Sequence, residues 1–143
     1  MLDLDNNLLY REVIMEHYKN PLNKGLVESL HVYSSKNPTC GDNVDIQIEY
    51  ENDKIKAIHQ KSIGCSISVS SASILTSLLK GKTKTEAVKI TQHFIKMIKG
   101  EEYDTTIDFG DGIVFENIRS YPARYKCAST VWELVLKALK GEI

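Results

Sequence analysis

The fold of this chain is decided by residues 44–63, which read VDIQIEYENDKIKAIHQKSI. In the first half of this segment, apolar or aromatic residues alternate with polar ones, and they are Val44, Ile46, Ile48 and Tyr50. A period of two is typical of a β-strand with one buried face. Residues 51–54 supply a turn, and residues 55–63 are predicted to form the returning strand. Because the two strands are consecutive and closely joined, we expect them to be antiparallel.

The region before this hairpin is predicted to hold one helix and one further strand. Apolar and aromatic residues recur at helical intervals over residues 7–19. Asn20-Pro21 should end that helix, because a proline disfavours helical backbone in the residue before it. A third strand is predicted near His31 to Tyr33, within a loop that otherwise fills residues 22–41.

Helices are predicted after the hairpin. Residues 70–79 have helical spacing, with Gly81 placed to end the helix. Thr83 and Glu86 form the signature of a capping box at the start of the next helix. Residues 101–112 are polar and are predicted to form a loop, and a last helix is predicted to open at Pro122. This order indicates an α+β fold with an antiparallel sheet of about three strands and helices packed on one face.

Composition limits the classes of function. A chain of 143 residues, 42% hydrophobic and 26% charged, fits a single domain over residues 1–143. The net charge of −1 gives no basic field for nucleic acid. No segment has the length of apolar sequence that a signal peptide or a membrane span requires, so we expect a cytoplasmic protein without a membrane partner. The three cysteines should then be reduced, and their odd number argues against a disulfide framework.

Each cysteine lies near a predicted boundary between elements. Cys40 precedes the first strand of the hairpin, Cys65 follows the second, and Cys127 is in the early part of the last helix. Their neighbours are glycine, serine or basic residues, whereas a cysteine kept for packing more often lies among apolar residues. The partial positive charge and unpaired N–H groups at a helix N-terminus attract an anion such as a thiolate. This setting indicates chemistry and not packing.

A metal site is the first chemistry to consider. Asp42, two residues after Cys40, can add a carboxylate to the three thiolates, which completes the four ligands of tetrahedral zinc. The same side chains can hold a 2Fe–2S cluster, and chemistry alone does not separate the two. The chain has no C-x-x-C pair, so spacing alone leaves three unconnected cysteines as an equally good interpretation.

The segments around the cysteines are more specific than their spacing. They are NPTCGD at residues 37–42, GCSIS at residues 64–68 and PARYKC at residues 122–127. Together these strongly resemble the U-type iron–sulfur cluster assembly proteins, the group of IscU, SufU and the NifU N-terminal domain. The likeness extends from about Tyr10 to the end of the chain.

Within that group the sequence is similar to the SufU type. IscU-type scaffolds have a histidine immediately before the last cysteine and a Leu-Pro-Pro-Val-Lys chaperone motif upstream. This chain has Lys126 and the stretch SYPAR, residues 120–124, at those places. A polar stretch over residues 100–112 also lengthens the interval before Cys127, as is typical of SufU. These departures weaken the interpretation as a cluster scaffold.

The resemblance implies a role for each site residue. Cys40, Asp42, Cys65 and Cys127 would bind zinc. A SufS-type, pyridoxal-phosphate-dependent cysteine desulfurase would be the partner, and a histidine of that partner would replace Cys40 on the metal. Cys40 would then accept persulfide sulfur as the catalytic residue, with Arg124 in contact with the partner. Downstream Suf scaffold proteins would be further partners.

Two alternatives to this zinc-dependent sulfurtransferase remain. One is a U-type scaffold that assembles and transfers a 2Fe–2S cluster, with iron as the metal. The other is a structural zinc protein without sulfur chemistry. Among the remaining side chains, His17 is predicted to be a boundary or surface residue, Trp132 a core residue, and the serines after Cys65 a helix cap or hydrogen-bond donors to its sulfur.

Overall fold

The computed structural model of the chain describes residues 2–37, 41–121 and 123–143. The helices and strands in this part are α1 (Leu2–Lys19), β1 (Tyr33–Asn37), β2 (Asp42–Glu51), β3 (Lys54–Ile63), α2 (Ser66–Leu79), α3 (Lys84–Lys99) and α4 (Tyr125–Leu139). Two 3₁₀ helices, Gly110–Phe115 and Ile118–Ser120, lie between α3 and α4. None of these helices is both long enough and apolar enough to cross a membrane.

The three strands form one antiparallel sheet in the order β1-β2-β3. The predicted hairpin is confirmed, and its turn residues Asn52 and Asp53 have φ of 52° and 66°. Positive φ at both positions matches the twist of paired strands. The third strand is confirmed too, although it begins at Tyr33 and continues to Asn37. Along β2, the side chains of Asp42, Val44, Ile46 and Ile48 are buried on one face of the sheet.

The helices cover that face, as the predicted α+β class requires. α2 packs against β3, α4 packs against β1 and β2, and α1 packs on the outside of α2. Trp132 of α4 is fully buried and stacks on Phe94 of α3 with 3.8 Å between ring centroids. The prediction of a core role for Trp132 is confirmed.

The other face of the sheet is covered in part by the loop after α1. Gln47 is 1% exposed, and its amide group accepts a hydrogen bond from Val27 N at 2.7 Å and donates to Val27 O at 2.6 Å. On the helix side of the sheet, Gln60 of β3, which pairs with Ile46, is equally buried and donates to Leu22 O at 3.0 Å. The loop also forms backbone hydrogen bonds with Gln60, through Gly25 N and Asn23 O, so polar residues of the strands are buried where the loop packs.

α2 begins four residues earlier than predicted, and its serines have a different role. Cys65 is the N-cap residue, with no side-chain cap bond, so the prediction of a serine cap is wrong. Ser71 Oγ donates to Ala128 O at 2.7 Å and accepts from Trp132 Nε1 at 2.9 Å, which joins α2 to α4. Ser73 Oγ accepts from Leu22 N at 2.8 Å. Because serine is a polar residue, its positions in the sequence do not predict that these parts of α2 are buried.

His17 is also more buried than predicted. Its ring is 8% exposed and lies between α2 and the first 3₁₀ helix. Nδ1 is 2.7 Å from Ser73 Oγ, and Nε2 is 2.8 Å from Asp111 Oδ2. Both ring nitrogens have polar partners, which is what allows a histidine to be buried here.

The later helices agree with the sequence at their starts. Thr83 and Glu86 form the predicted capping box of α3, and Gly100 ends that helix with a φ of 74°. The predicted loop over residues 101–112 runs into the first 3₁₀ helix at Gly110. α4 begins at Tyr125, and Pro122, which was predicted to open it, lies outside the described residues.

Candidate metal centre

Three side chains with metal-binding groups converge at one end of the sheet. They are Asp42, Cys65 and Cys127, and their ligand atoms all lie within 4.8 Å of one another. Asp42 is the first residue of β2, Cys65 precedes the first turn of α2, and Cys127 is in the first turn of α4. The fold therefore brings together one carboxylate and two thiols from three separate elements.

The two carboxylate oxygens of Asp42 differ in their hydrogen bonding. Its side chain is buried, and Oδ1 accepts a hydrogen bond from the backbone N–H of Cys65 at 3.0 Å. Oδ2 is buried and has no hydrogen-bond partner within the described part of the chain. A buried oxygen left in this way is costly, and a cation at the same place would compensate it.

Gly64 makes room for this carboxylate. Its φ is +152°, and a Cβ added to it would lie 2.0 Å from Asp42 Oδ1. Real Cβ atoms do not approach an oxygen so closely, so only glycine fits while Asp42 keeps its place. The missing side chain of Gly64 thus leaves the space that the Asp42 carboxylate occupies.

The two described cysteines differ in access to solvent. Cys65 is partly exposed, whereas Cys127 is 1% exposed with its Sγ 3.9 Å from Ala123 O. Cys40 lies outside the described residues, two positions before Asp42 in the sequence. Thiolate sulfur and carboxylate oxygen are both ligands of zinc, and the unsatisfied Oδ2 of Asp42 agrees with a cation between them. The residues present therefore fit a metal, and two sulfur donors also suit iron.

Comparison with known proteins gives the family of this fold and site. The NifU-like N-terminal domain family matches residues 9–128, which include every candidate ligand. The chain belongs to the NifU-like N-terminal domain family. It is 40% identical over 134 residues to the zinc-dependent sulfurtransferase SufU of Bacillus subtilis, an alignment that covers 94% of this chain and 91% of that protein. The predicted SufU-type resemblance is confirmed.

Scaffold proteins of the same family are similar as well. The iron–sulfur cluster assembly scaffold protein IscU of Streptococcus pyogenes is 31% identical over 94% of this chain and 84% of its own length. A crystal structure of an iron–sulfur cluster assembly scaffold protein for the SUF system, from Fervidobacterium islandicum AW-1, superposes with a TM-score of 0.80. That protein is 33% identical, with 90% of this chain and 94% of the other covered. The U-type fold is thus confirmed.

Basic residues precede the last cysteine of this family member. Arg124 is the N-cap residue of α4 and is exposed, and Lys126 is exposed in the first turn. Arg124 has no salt bridge within the described part of the chain. It is therefore available to a group from another molecule.

One contact of the site could not be found from the sequence of this NifU-like domain. The hydrogen bond from Cys65 N to Asp42 Oδ1 joins residues 23 apart and uses a backbone donor, which every residue except proline has. No residue type or spacing marks such a bond. The ligand types were visible in the motifs, whereas their alignment depends on where β2 and α2 meet.

Proposed function

We propose that this chain is a zinc-dependent sulfur acceptor that acts as a single domain in the cytoplasm. It takes persulfide sulfur from a SufS-type cysteine desulfurase and relays it for iron–sulfur cluster assembly. The observation that carries the proposal is the convergence of Asp42, Cys65 and Cys127 around the unsatisfied Oδ2 of Asp42. The 40% identity to a zinc-dependent sulfurtransferase supports it.

Four residues would hold the metal: Cys40, Asp42, Cys65 and Cys127. When bound, zinc keeps thiols deprotonated at neutral pH and so makes them available as nucleophiles. The hydrogen bond from Cys65 N orients Asp42 through Oδ1, which leaves Oδ2 as the ligand atom. Burial of Cys127 keeps that thiol from solvent, so it is suited to holding the metal and not to exchanging sulfur.

Cys40 is the proposed sulfur acceptor. Its thiolate attacks the outer sulfur of the persulfide on the desulfurase cysteine, and a new S–S bond forms on Cys40. The S–S bond of the donor breaks at the same time, and the donor cysteine leaves as a thiolate. No net oxidation or reduction takes place, because one persulfide is exchanged for another. The persulfide on Cys40 is then passed by the same reaction to the next thiol, with a downstream Suf scaffold protein as recipient.

Arg124 is the proposed contact with the desulfurase. It is exposed at the start of α4, three residues before Cys127. A guanidinium group there can bind a carboxylate of the partner with two parallel hydrogen bonds. Contact at this place would position the persulfide donor beside the metal centre.

A cluster scaffold is the second candidate function. It is supported by the names of the two scaffold relatives, which are 31% and 33% identical to this chain. The same thiols would then hold a 2Fe–2S cluster. Lys126 favours the sulfur acceptor. IscU-type scaffolds have a histidine at that position, immediately before the last cysteine.

Metal analysis distinguishes the two functions. Freshly purified protein should contain about one zinc per chain and have no visible absorption band. Stoichiometric iron and sulfide with an oxygen-sensitive brown colour would contradict the sulfur acceptor and support the scaffold. Asp42→Asn should lose most of the metal, whereas Asp45→Asn should keep it. Asp45 is a matched control on the same strand, where its side chain accepts a bond from Ser34 Oγ on the outer face.

Desulfurase assays test the role of Cys40. Adding the parent protein to a SufS-type desulfurase should increase the rate of alanine production from cysteine. Cys40→Ala should abolish this stimulation while circular dichroism shows an intact fold. A Cys40→Ala protein that stimulates as well as the parent would rule out Cys40 as the acceptor. Arg124→Ala should raise the concentration needed for half-maximal stimulation without changing the metal content.

A further inference from the structure

A groove runs between the edge of the sheet and α4, on the side of the molecule away from α1. Its volume is 580 Å³. One wall is Ser34, Ser35 and Lys36 of β1, and the other is a stripe of α4 that consists of Lys126, Ser129, Thr130, Glu133 and Lys137. At Lys99 and Tyr125 the groove continues into a second cavity of 650 Å³ that Arg119 and Ser120 also line. We call the two cavities together the β1–α4 groove.

The β1–α4 groove is strongly basic although the chain as a whole has a net charge of −1. Its cationic side chains are Lys36, Lys99, Arg119, Lys126 and Lys137, whereas Glu133 is the acidic side chain among its lining residues, which also include the last residue of the sequence, Ile143. Lys99 Nζ lies 3.5 Å from Glu133 Oε1, so the Glu133 carboxylate is paired with Lys99. Within the described ranges, the other four cations have no ion pair. Unpaired cations that line one groove favour an acidic ligand.

Arg119 packs against the end of α3. Gly100 ends that helix, and a Cβ added to it would lie 2.3 Å from Arg119 Cδ. The Arg119 side chain therefore lies directly on the glycine backbone. This contact places the exposed guanidinium of Arg119 beside the groove.

The β1 wall of the β1–α4 groove is an open strand edge. β1 pairs only with β2, and in the described part of the chain no other backbone hydrogen bond involves residues 33–37. The outward N–H and C=O groups of an edge strand are a template for another strand. Two copies of this chain paired through this edge would bring two basic grooves together, so like charges oppose self-pairing. An acidic strand would meet no such repulsion.

We propose that the β1–α4 groove binds an extended acidic segment of a partner protein, which adds to β1 as a fourth strand. Side chains of a strand alternate between its two faces, so every second residue of the segment faces α4. Acidic residues at those positions would meet Lys126 and Lys137. The segment would lie within reach of the metal centre, because Lys126 adjoins Cys127. This docking goes beyond the proposed function and does not depend on zinc or on sulfur transfer.

The charge of the groove is tested with a synthetic probe. The peptide (Glu-Thr)₄, labelled with fluorescein, should bind the metal-loaded protein at low salt and weaken as salt is added. Lys137→Glu should weaken binding on the order of fivefold, as expected for a reversed charge at an exposed site. Lys61→Glu is the matched control on the opposite edge strand and should leave binding unchanged. Equal binding of (Lys-Thr)₄, or no difference between the two variants, would overturn the proposal.

Strand addition is tested separately from charge. A (Glu-Thr)₄ peptide N-methylated at two successive central residues loses one N–H on each edge but keeps its charge. It should bind roughly tenfold more weakly, because main-chain hydrogen bonds supply much of the affinity in this mode. Amide signals of Ser34, Ser35 and Lys36 should shift only with the unmethylated peptide. Equal affinities, or shifts at other strands, would contradict the added strand. Lys61→Glu, which leaves all four proposed metal ligands in place, should bind both peptides as the parent does.

Discussion

At the scale of single residues, Asp42 and Gly64 share a space with no room for one more carbon atom. The carboxylate of Asp42 occupies the volume that a Cβ at position 64 would need. The N–H of Cys65, the next residue, then donates to the same carboxylate oxygen. The position of the Asp42 carboxylate thus depends on the absence of a Cβ at residue 64 as well as on the hydrogen bond from Cys65 N.

Gly64→Ala should therefore cost the protein its metal. Either Asp42 must move or the backbone must leave its φ of +152°, and we expect the free energy of unfolding to fall by about 1 to 3 kcal/mol. Metal content by mass spectrometry should drop well below that of the parent, and urea unfolding should give the stability change.

Gly81→Ala is the control for backbone strain alone. Gly81 also has a positive φ, of +84°, but its added Cβ would have no neighbour within 4 Å. We expect this variant to lose about 1 kcal/mol of stability and to keep its metal. Full metal content in Gly64→Ala would show that the close approach of Asp42 is not required.

The candidate site could be predicted in its residue types but not in its contacts. Motifs around Cys65 and Cys127 predicted candidate ligands, and the structure brings both cysteines together with Asp42. Bonds such as that from Cys65 N, and cations such as Lys36 and Lys137 that are far apart in sequence, leave no local pattern. They come together only when β1, β2 and α4 pack.

At the scale of secondary structure, α2 is a helix whose buried residues include four serines. Ser68, Ser70, Ser71 and Ser73 are all at most 1% exposed. The hydroxyl of Ser71 joins α2 to α4 through both Ala128 O and Trp132 Nε1. Serine hydroxyl groups thus form hydrogen bonds where α2 meets its neighbours.

Ser71→Ala should destabilise the protein by about 1 to 3 kcal/mol, because it leaves the buried Trp132 N–H without an acceptor. The same change in a Trp132→Phe background should cost less, since that N–H is then absent. Urea unfolding of the four proteins gives the coupling energy. Ser77→Ala, at an exposed position on the same helix, should be within about 0.5 kcal/mol of the parent. Equal costs in both backgrounds would mean that the Ser71–Trp132 bond contributes nothing.

A tyrosine of α1 gives the protein a sensitivity to alkaline pH. Tyr10 donates to Glu116 Oε1 at 2.7 Å, beside the first 3₁₀ helix. This hydrogen bond, together with burial and the charge of Glu116, raises the pKa of Tyr10 from 10.0 to about 12. A pKa raised in the folded state contributes stability that is complete below pH 10 and is lost as pH rises through about 12.

Tyr10→Phe should remove this part of the alkaline loss of stability. Compared with the parent, its free energy of unfolding should fall less between pH 10 and pH 12. Tyr18→Phe is the control, because Tyr18 is 41% exposed on the same helix. Parallel pH profiles for the parent and Tyr10→Phe would contradict the role of the Tyr10–Glu116 bond.

Individual elements were predicted to different extents for physical reasons. The β2–β3 hairpin and the capping box of α3 depend on neighbouring residues, so both are visible in the sequence. The start of α2 and the extent of β1 depend on distant partners. α2 starts directly after Cys65, whose backbone N–H donates to Asp42 of β2, and Ser34 and Ser35 are in a strand because β2 pairs with them.

At the scale of the whole molecule, the metal centre lies where β2, α2 and α4 all begin. A bound ion would join these three elements and would stabilise the folded state by about 4 kcal/mol at a concentration a thousand times its Kd. Removal of the metal with a chelator should therefore lower the midpoint of thermal unfolding. Hydrogen exchange should become faster at the first residues of β2, α2 and α4 in particular.

A cysteine variant provides the comparison for metal removal. Cys65→Ser should unfold near the temperature of the chelated parent, and the chelator should have no further effect on it. Added zinc should restore the parent but not the variant. If the chelated and metal-loaded parent proteins unfold at the same temperature, the metal does not join the three elements.

The alternation of β2 also determines which changes in chain length this fold can accept. Asp42 is on the helix side of the sheet because it is an even number of residues from Val44, Ile46 and Ile48. Deletion or insertion of one residue between Asp42 and Ile48 would turn the carboxylate to the face where Gln47 binds the loop. Two residues added or removed would return it to the helix side. In this strand, an insertion or deletion of an even number of residues should be tolerated, whereas one of an odd number should be lethal. This number should matter more than the chemistry of the residues concerned.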